Sequence, residues 1–221
     1  MPREWRRPRP RRDTLHYTKL TGPSDYGESP LSATIGRNVF SLAFSHLTSA
    51  FPPMSTSTAE HRRQSPHSIR CAVVTISDSR TLETDRGGAL VVERLVAAGH
   101  EVARREIVPD DAATIRTLVE QCASDDLDAV LLTGGTGITA RDTTFETISA
   151  LLDKPMPGYG ELFRMLSFEQ VGPAAMLSRA IGGVVGRTIV LTMPGSTAAV
   201  ELAMDRLIVP EIAHLVHEAR K

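Results

Sequence analysis

The chain has 221 residues, with 25 lysines and arginines against 26 aspartates and glutamates, and 41% of its residues are hydrophobic. A net charge near zero excludes a protein that holds nucleic acid mainly by bulk electrostatic attraction. No run approaches about eighteen consecutive apolar residues, so the sequence predicts no membrane-spanning helix. Two cysteines, Cys71 and Cys122, cannot build a disulfide framework, which favours a reducing compartment and predicts a cytoplasmic location.

The charge is divided unevenly along the chain. Residues 1–66 hold ten basic and five acidic residues, whereas residues 67–221 hold fifteen and twenty-one. The first part is rich in Pro, Ser and Thr and includes an arginine cluster at residues 5–12. Such a composition buries too little apolar surface to offset chain entropy, so we predict a disordered, low-complexity extension over 1–66 and a folded domain over 67–221.

Three interpretations of the extension are open. The first is a leader outside the mature protein, with translation starting at Met54 just before the first core strand. The second is a targeting segment that uses the partly apolar stretch 39–51. The third is a nucleic-acid-binding arm built on the arginine cluster. The polar residues that interrupt 39–51, and its distance from the N-terminus, are unlike an ordinary signal peptide. The composition therefore favours the leader.

Beyond residue 68 the sequence predicts alternating strands and helices. Short β-branched or apolar runs predict strands at Arg70–Ile76, Glu101–Val108 and Ala129–Thr133. Helical spacing predicts helices at 89–98, from Asp110 or Asp111 to Cys122, at 144–152 and at 160–169. Strands alternating with helices indicate a mostly parallel sheet covered on both faces.

The C-terminal third follows a different pattern. Residues 176–181 and 187–192 flank a glycine-rich run at 182–186, which predicts a β-hairpin. The stretch from Ser196 is helical in composition, and Pro210 predicts a bend within it.

Three predicted strands are followed by residues suited to anions. The strand at 70–76 is followed by Ser77, Asp78, Ser79 and Arg80; the strand at 129–133 by Gly134, Gly135, Thr136 and Gly137; and the run at 187–192 by Pro194, Gly195 and Ser196. Glycines let backbone N–H groups approach an anion, and a helix N-terminus adds partial positive charge. Neither a P-loop nor a GxGxxG fingerprint is present. Ligands of parallel sheets lie beyond the carboxyl ends of the strands, so these turns predict a site for a phosphate-bearing ligand.

Carboxylates accompany these turns. Asp78, Asp110 and Asp142 lie at or just after strand ends, where they could converge on one cleft. Beside phosphates they would need a divalent cation, and Mg²⁺ prefers such oxygen ligands. Asp110 and Asp142 could equally cap helices. Four arginines could bind phosphate or be solvated at the surface: Arg80, Arg141, Arg164 and Arg179.

The order of these motifs resembles the MoaB/Mog family of molybdenum cofactor biosynthesis proteins. The resemblance spans residues 69–221 and rests on SDSR at 77–80, VPDD at 108–111, TGGTG at 133–137, RDTT at 141–144, PGYGELFR at 157–164, LSRA at 177–180 and PGS at 194–196. Residues 1–66 have no counterpart in it.

The resemblance implies a three-layer α/β/α domain, assembled as a homotrimer or hexamer, that binds molybdopterin. Active members adenylylate molybdopterin with Mg²⁺ and ATP, and the product passes to a molybdenum-insertion protein. The catalytic aspartates, which would also contact the metal, match Asp110 and Asp142. The pterin and nucleotide contacts match, or are expected at, Ser77, Asp78, Gly134, Gly135, Thr136, Gly137, Arg164, Ser178, Arg179, Pro194, Gly195 and Ser196.

Two departures keep a second function open. The family often shows Asp-x-Ser/Thr-Gly at the first helix, whereas this chain has Gly87 in place of the hydroxyl residue. The chain also ends soon after the PGS turn, as the shorter members do, and some of those bind pterin without an established catalytic role. The sequence therefore predicts a molybdopterin adenylyltransferase, with a non-catalytic pterin carrier as the alternative.

Overall fold

A computed structural model describes residues 64–221 of the chain. The predictions made for residues 1–63, including disorder, the Met54 start and a targeting or nucleic-acid-binding role, lie outside the described residues. None of the helices in the described part is both long and apolar enough to cross a membrane.

A six-stranded sheet forms the centre of the domain, in the order β2-β1-β3-β6-β5-β4. Its strands are β1 (Arg70–Ile76), β2 (Glu101–Val108), β3 (Ala129–Thr133), β4 (Lys154–Pro155), β5 (Gly182–Val185) and β6 (Thr188–Met193). The first four in spatial order are parallel, and β5 is antiparallel to both of its neighbours. The predicted mostly parallel sheet with one hairpin is confirmed.

Helices cover both faces of this sheet. They are α1 (Arg86–Ala97), α2 (Ala112–Ser124), α3 (Thr144–Leu151), α4 (Pro157–Val171), α5 (Thr197–Ala203) and α6 (Val209–Arg220), with a 3₁₀ segment at Gly172–Leu177 and a π segment at Met204–Ile208. Alternate residues of the central strands face opposite layers, as the two-residue period of a strand requires. Cys71, Val73 and Leu131 pack toward α1, α4, α5 and α6, whereas Ala72, Val74 and Leu132 pack toward α2 and α3. The fold is therefore a three-layer α/β/α sandwich.

The predicted strand over 176–181 is wrong. Met176 and Leu177 end the 3₁₀ segment, and the first hairpin strand is β5, within the run predicted to be the turn. The strand β5 needs glycine at position 183, because an added Cβ would lie 2.9 Å from the Leu152 side chain and against the Lys154 carbonyl oxygen. Close packing between β4 and β5 therefore selects a residue type that sequence reasoning assigns to turns.

The remaining helix predictions differ mainly at their ends. The helix α4 begins at Pro157, three residues earlier than predicted, because proline is favoured in the first turn of a helix.

The C-terminal helix is interrupted by the π segment, immediately before Pro210 in the first turn of α6. Proline cannot donate the next helical hydrogen bond, which accounts for the irregularity at the predicted bend.

Candidate functional site

A cavity of about 440 Å³ lies at the edge where the parallel strands end. One wall consists of the turns after β3 and β6, namely residues 134–137 and 194–196. The rest of the lining forms a largely apolar wall and comes from α4, the 3₁₀ segment and α5, with Phe163, Val171 and Leu202 among its residues. A small polar surface combined with a larger apolar one is the usual composition of a site for an organic ligand.

The turn after β3 requires glycine at several positions. Gly134 and Gly135 have positive φ angles of 103° and 62°, a region that other residues rarely adopt. At Gly137 the limit is space, because an added Cβ would lie 2.7 Å from the Asp142 Oδ2. The Gly134 N–H donates to the Met193 carbonyl oxygen (3.0 Å), which joins this turn to the end of β6.

Asp142 is an ionised group on the cavity wall. Its Oδ2 accepts hydrogen bonds from the Thr139 hydroxyl (2.6 Å) and the Thr139 N–H (2.9 Å). The Thr139 hydroxyl lowers the pKa of this carboxyl group below its usual value, and the N–H groups of Thr139 and Gly137 and the Arg179 charge act in the same direction. The N-cap of α3 is Thr143, so Asp142 does not occupy the capping position.

Asp110 lies against the same turn but outside the cavity lining. Its Oδ1 accepts hydrogen bonds from the Thr143 hydroxyl (2.7 Å) and N–H (3.1 Å). Its Oδ2 is 2.6 Å from the point that a Cβ on Gly135 would occupy, and the buried Thr144 hydroxyl, which has no hydrogen-bond partner, borders the same point. The neighbouring Asp111 caps α2 by accepting from the Thr114 N–H. The two predicted aspartates are thus brought to one loop, at Gly135 and at Gly137.

Two serines complete the polar wall. The Ser178 hydroxyl oxygen is buried and has no partner, although the residue borders the cavity. Buried hydroxyl groups normally find a partner, so this oxygen is suited to a ligand. Ser196 caps α5 by accepting from the Ala199 N–H (3.3 Å) and places the start of that helix at the cavity.

The other predicted contacts lie outside the lining. The Ser77 hydroxyl accepts from the Arg80 N–H (3.2 Å), Asp78 pairs with Arg141 (2.7 Å), and Arg164 is half-buried on α4. Arg179 donates to backbone oxygens of the glycine turn. Of the fourteen predicted site residues, the cavity lining contains nine: Gly134, Gly135, Thr136, Gly137, Asp142, Ser178, Pro194, Gly195 and Ser196.

Sequence reasoning missed the apolar wall and one connection between turns. Ser167, Gln170 and Ala174 carry no chemical motif, and only their place on or just after a helix that packs on the sheet could have indicated them. The sequence predicts that Arg80 is either a phosphate ligand or a solvated residue. Its guanidinium donates to the Gly195 carbonyl oxygen (3.0 Å) and lies 3.8 Å from the buried Asp85, so it ties the third turn to α1.

The donor atoms fit magnesium better than a transition metal. The described residues contain no group of three or more His, Cys, Asp or Glu side chains placed to hold an ion. Mg²⁺ commonly takes one or two carboxylates and completes its shell with water and substrate phosphates. Asp142 at the cavity wall, and the Asp110 carboxylate beside the unpartnered Thr144 hydroxyl, are oxygen donors of this kind.

Comparisons with known proteins agree with the fold. Residues 72–214 match the family model described as a probable molybdopterin binding domain. A molybdenum cofactor biosynthesis protein B from Bacillus cereus is 53% identical over 167 residues, which cover 75% of this chain and 99% of that protein.

Two solved structures share the fold of this chain. A crystal structure of a molybdenum cofactor biosynthesis protein B aligns with a TM-score of 0.69 at 54% identity, over 71% of this chain and 99% of that one. The tungsten cofactor synthesizing protein MoaB from Pyrococcus furiosus aligns with a TM-score of 0.65 at 35% identity, over the same shares.

The three-layer fold with glycine turns around a cavity at the strand ends defines a domain of the molybdopterin-binding class. Within that class, the chain belongs to the MoaB/Mog family of molybdenum cofactor biosynthesis proteins.

Proposed function

We propose that this protein adenylylates molybdopterin, using ATP and Mg²⁺. The observation that carries the proposal is that the ionised Asp142 and two glycine-containing turns line the same cavity. Backbone N–H groups of a glycine turn and a helix N-terminus suit phosphates, whereas the apolar wall suits a planar ring. The family membership supplies the identity of the pterin.

The reaction is a nucleotidyl transfer. An oxygen of the terminal phosphate of molybdopterin forms a bond to the α-phosphorus of ATP. The bond from that phosphorus to the oxygen that bridges the α- and β-phosphates breaks, and pyrophosphate leaves with the electron pair. No covalent protein intermediate is needed, so the protein contributes alignment of two anions and stabilisation of developing charge.

Each group on the polar wall has a part in this alignment. The N–H groups of Gly135 and Thr136 and the N-terminus of α5 at Ser196 hold phosphate oxygens, and the Ser178 hydroxyl supplies a further donor. Phe163 and Val171 on the apolar wall exclude water from the bound ligands. Asp142 orients the substrates. Asp110 lies outside the cavity lining and stabilises the loop by accepting hydrogen bonds from Thr143.

Asp142 is the first candidate for the magnesium ligand, with Asp110 and the Thr144 hydroxyl as donors on the other side of the turn. When bound, the ion would neutralise phosphate charge as the transfer proceeds. Without a cation, the negative charge of the Asp142 carboxylate would repel the phosphates of ATP; with the cation bound, the same charge would help to hold the ion.

Pyrophosphate release tests the proposal. Purified protein is incubated with molybdopterin, ATP and MgCl₂, and each component is omitted in turn. We expect release only with all three, and Asp142→Asn should lower the rate about 100-fold or more while the circular dichroism spectrum stays unchanged. Asp153→Asn, on the exposed turn before β4, is the matched control and should retain the rate. An unimpaired Asp142→Asn variant would contradict the role of this carboxylate.

A non-catalytic molybdopterin carrier is the second candidate, and one observation favours it. Asp142 is the one ionisable side chain among the described residues that line the cavity, whereas phosphate-transfer sites commonly place cationic side chains at the phosphates. A carrier would bind molybdopterin tightly in calorimetry and release no pyrophosphate, so the same preparation distinguishes the two candidates.

We propose further that the protein is a homo-oligomer in a reducing cytoplasm, where a molybdenum-insertion protein uses its product. Six exposed apolar side chains form a strip on α4 and the 3₁₀ segment, and we name them the α4 strip: Leu162, Met165, Phe168, Val171, Met176 and Leu177. Monomeric proteins rarely expose contiguous apolar surface of this kind. Cys71 and Cys122 are buried free thiols, which suits a reducing compartment.

A further inference from the structure

Arg179 has the most fully satisfied guanidinium group near the cavity. Its Nε donates to the Thr136 carbonyl oxygen (3.1 Å) and its Nη2 to the Gly137 carbonyl oxygen. Its Nη1 pairs with Glu146 on α3, and its Cζ lies 5.0 Å from the centre of the Phe145 ring. The donors of this arginine therefore face the glycine turn and α3.

These bonds fix the orientation of two peptide groups. In a trans peptide the carbonyl oxygen and the following N–H point in opposite directions. When Arg179 holds the Thr136 oxygen, the Gly137 N–H is directed to the other side, toward Asp142, and helps to lower the pKa of that carboxyl group. Asp142 also packs against Gly137, so closely that a Cβ there would lie 2.7 Å from the Oδ2. The Gly137 peptide thus connects the arginine to the carboxylate.

We infer that Arg179 is a positioning residue: it holds the 136–137 peptides so that Asp142 faces the cavity. It acts through the turn, which differs from a direct contact with phosphate. The planar fork of arginine is needed, because a lysine ammonium is a point charge that cannot match two carbonyl oxygens and a carboxylate in one plane. Where turnover is concerned, the inference rests on the proposed adenylylation.

Three variants test this inference: Arg179→Ala, Arg179→Lys and, as a control, Arg116→Ala on the exposed side of α2. Arg179→Ala should lower kcat for pyrophosphate release about tenfold or more, since small displacements of a reacting group have effects of this size. The KM for ATP should change less than kcat, because the turn at 194–196, which is the second phosphate contact, is untouched. Arg179→Lys should recover little of the loss, and Arg116→Ala should behave as wild type.

Chemical rescue separates positioning from general stability. Millimolar guanidinium chloride, well below unfolding concentrations, should restore part of the kcat of Arg179→Ala, whereas equal concentrations of sodium chloride or urea should not. Rescue would support the inference. A variant with wild-type kcat, or a loss that guanidinium leaves unchanged, would overturn it.

Hydrogen exchange gives a readout that does not depend on turnover. In Arg179→Ala the amides of residues 136–142 should exchange faster, those of β1 and β3 should keep their wild-type rates, and guanidinium should slow the former again. Unchanged exchange over 136–142, or faster exchange throughout the sheet, would overturn the inference. If wild-type protein releases no pyrophosphate, the proposed adenylylation fails, and the exchange result still decides the role of Arg179.

Discussion

Glycine residues and carboxylate groups are in close contact at the candidate site. Gly135 lies against Asp110, and Gly137 lies against Asp142. Each carboxylate is held by hydroxyl and N–H groups of neighbouring threonines, Thr143 in one case and Thr139 in the other. The site is therefore a set of short-range contacts, in which one added methyl group displaces a charged side chain.

A matched pair of glycine substitutions tests this dependence. Gly137→Ala should lower pyrophosphate release about tenfold or more, because the new Cβ would meet the Asp142 Oδ2 at 2.7 Å and force the carboxylate away. Gly158→Ala, in the first turn of α4, places its Cβ in open space and should retain turnover. Steady-state rates and circular dichroism of both variants provide the measurement. Equal rates would show that the Gly137 contact does not matter.

The sequence could place these residues at one edge of the sheet, where they could converge on one cleft, but could not assign their contacts. Asp110 and Asp111 are adjacent and chemically identical, so no pattern shows that Asp111 caps α2 while Asp110 reaches Thr143, 33 residues away. Arg179 is a similar case. Its acceptors are backbone oxygens, which every sequence supplies, and only the fold determines which of them it meets.

At the scale of elements, a buried carboxylate joins three of them. Asp85 caps α1 by accepting from the Gly88 N–H (2.9 Å), accepts from the Thr75 hydroxyl on β1 (2.8 Å), and lies 3.4 Å from Arg105 on β2. Its side chain is fully buried. Arg80 connects the same carboxylate to the turn at Gly195.

Removing this carboxylate should loosen the start of α1. Asp85→Ala is expected to lower the free energy of unfolding by about 3 kcal/mol, because the cap is lost and two arginines lose a buried partner. Asp111→Ala also removes a cap, but from an exposed helix start, and should cost clearly less. Urea denaturation of both variants compares the two losses. Equal losses would mean that the contacts of Asp85 beyond its cap contribute nothing.

Strands were predictable where the local sequence marks them clearly. The strands β1, β2 and β3 match their predicted bounds. The strands β1 and β3 are short apolar runs covered on both faces, and β2 lies between two residues that end strands, Gly99 and Pro109. The strand β5 was not predictable. Its glycines are selected by contacts with Leu152 and Leu191, residues remote in sequence, and local propensity assigns glycine to turns.

At the scale of the whole molecule, the α4 strip adjoins the cavity. Val171 and Leu177 belong to both, so a copy of the chain seated on the strip would also cover the cavity rim. Phe168 lies within the strip with 59% of its surface exposed. Self-association would therefore shield both apolar surface and the bound ligand from water.

A charge within the strip should separate the copies. Phe168→Glu is expected to shift the protein from an oligomer to a monomer in sedimentation velocity, because a carboxylate is costly to bury without a partner. Glu169→Gln, the next residue of α4, is exposed and should leave the assembly unchanged. If the wild-type protein sediments as a monomer, or if Phe168→Glu sediments as an oligomer, the strip is not the contact.

The most direct test of the account follows the α-phosphorus of ATP. Protein, molybdopterin and MgCl₂ are incubated with ATP labelled in the α-phosphate, and the products are separated by chromatography. The account predicts label in a pterin product in amounts equal to the pyrophosphate released, with little label transferred by Asp142→Asn. Label that stays in ATP, or that appears only in AMP, would contradict the proposed transfer.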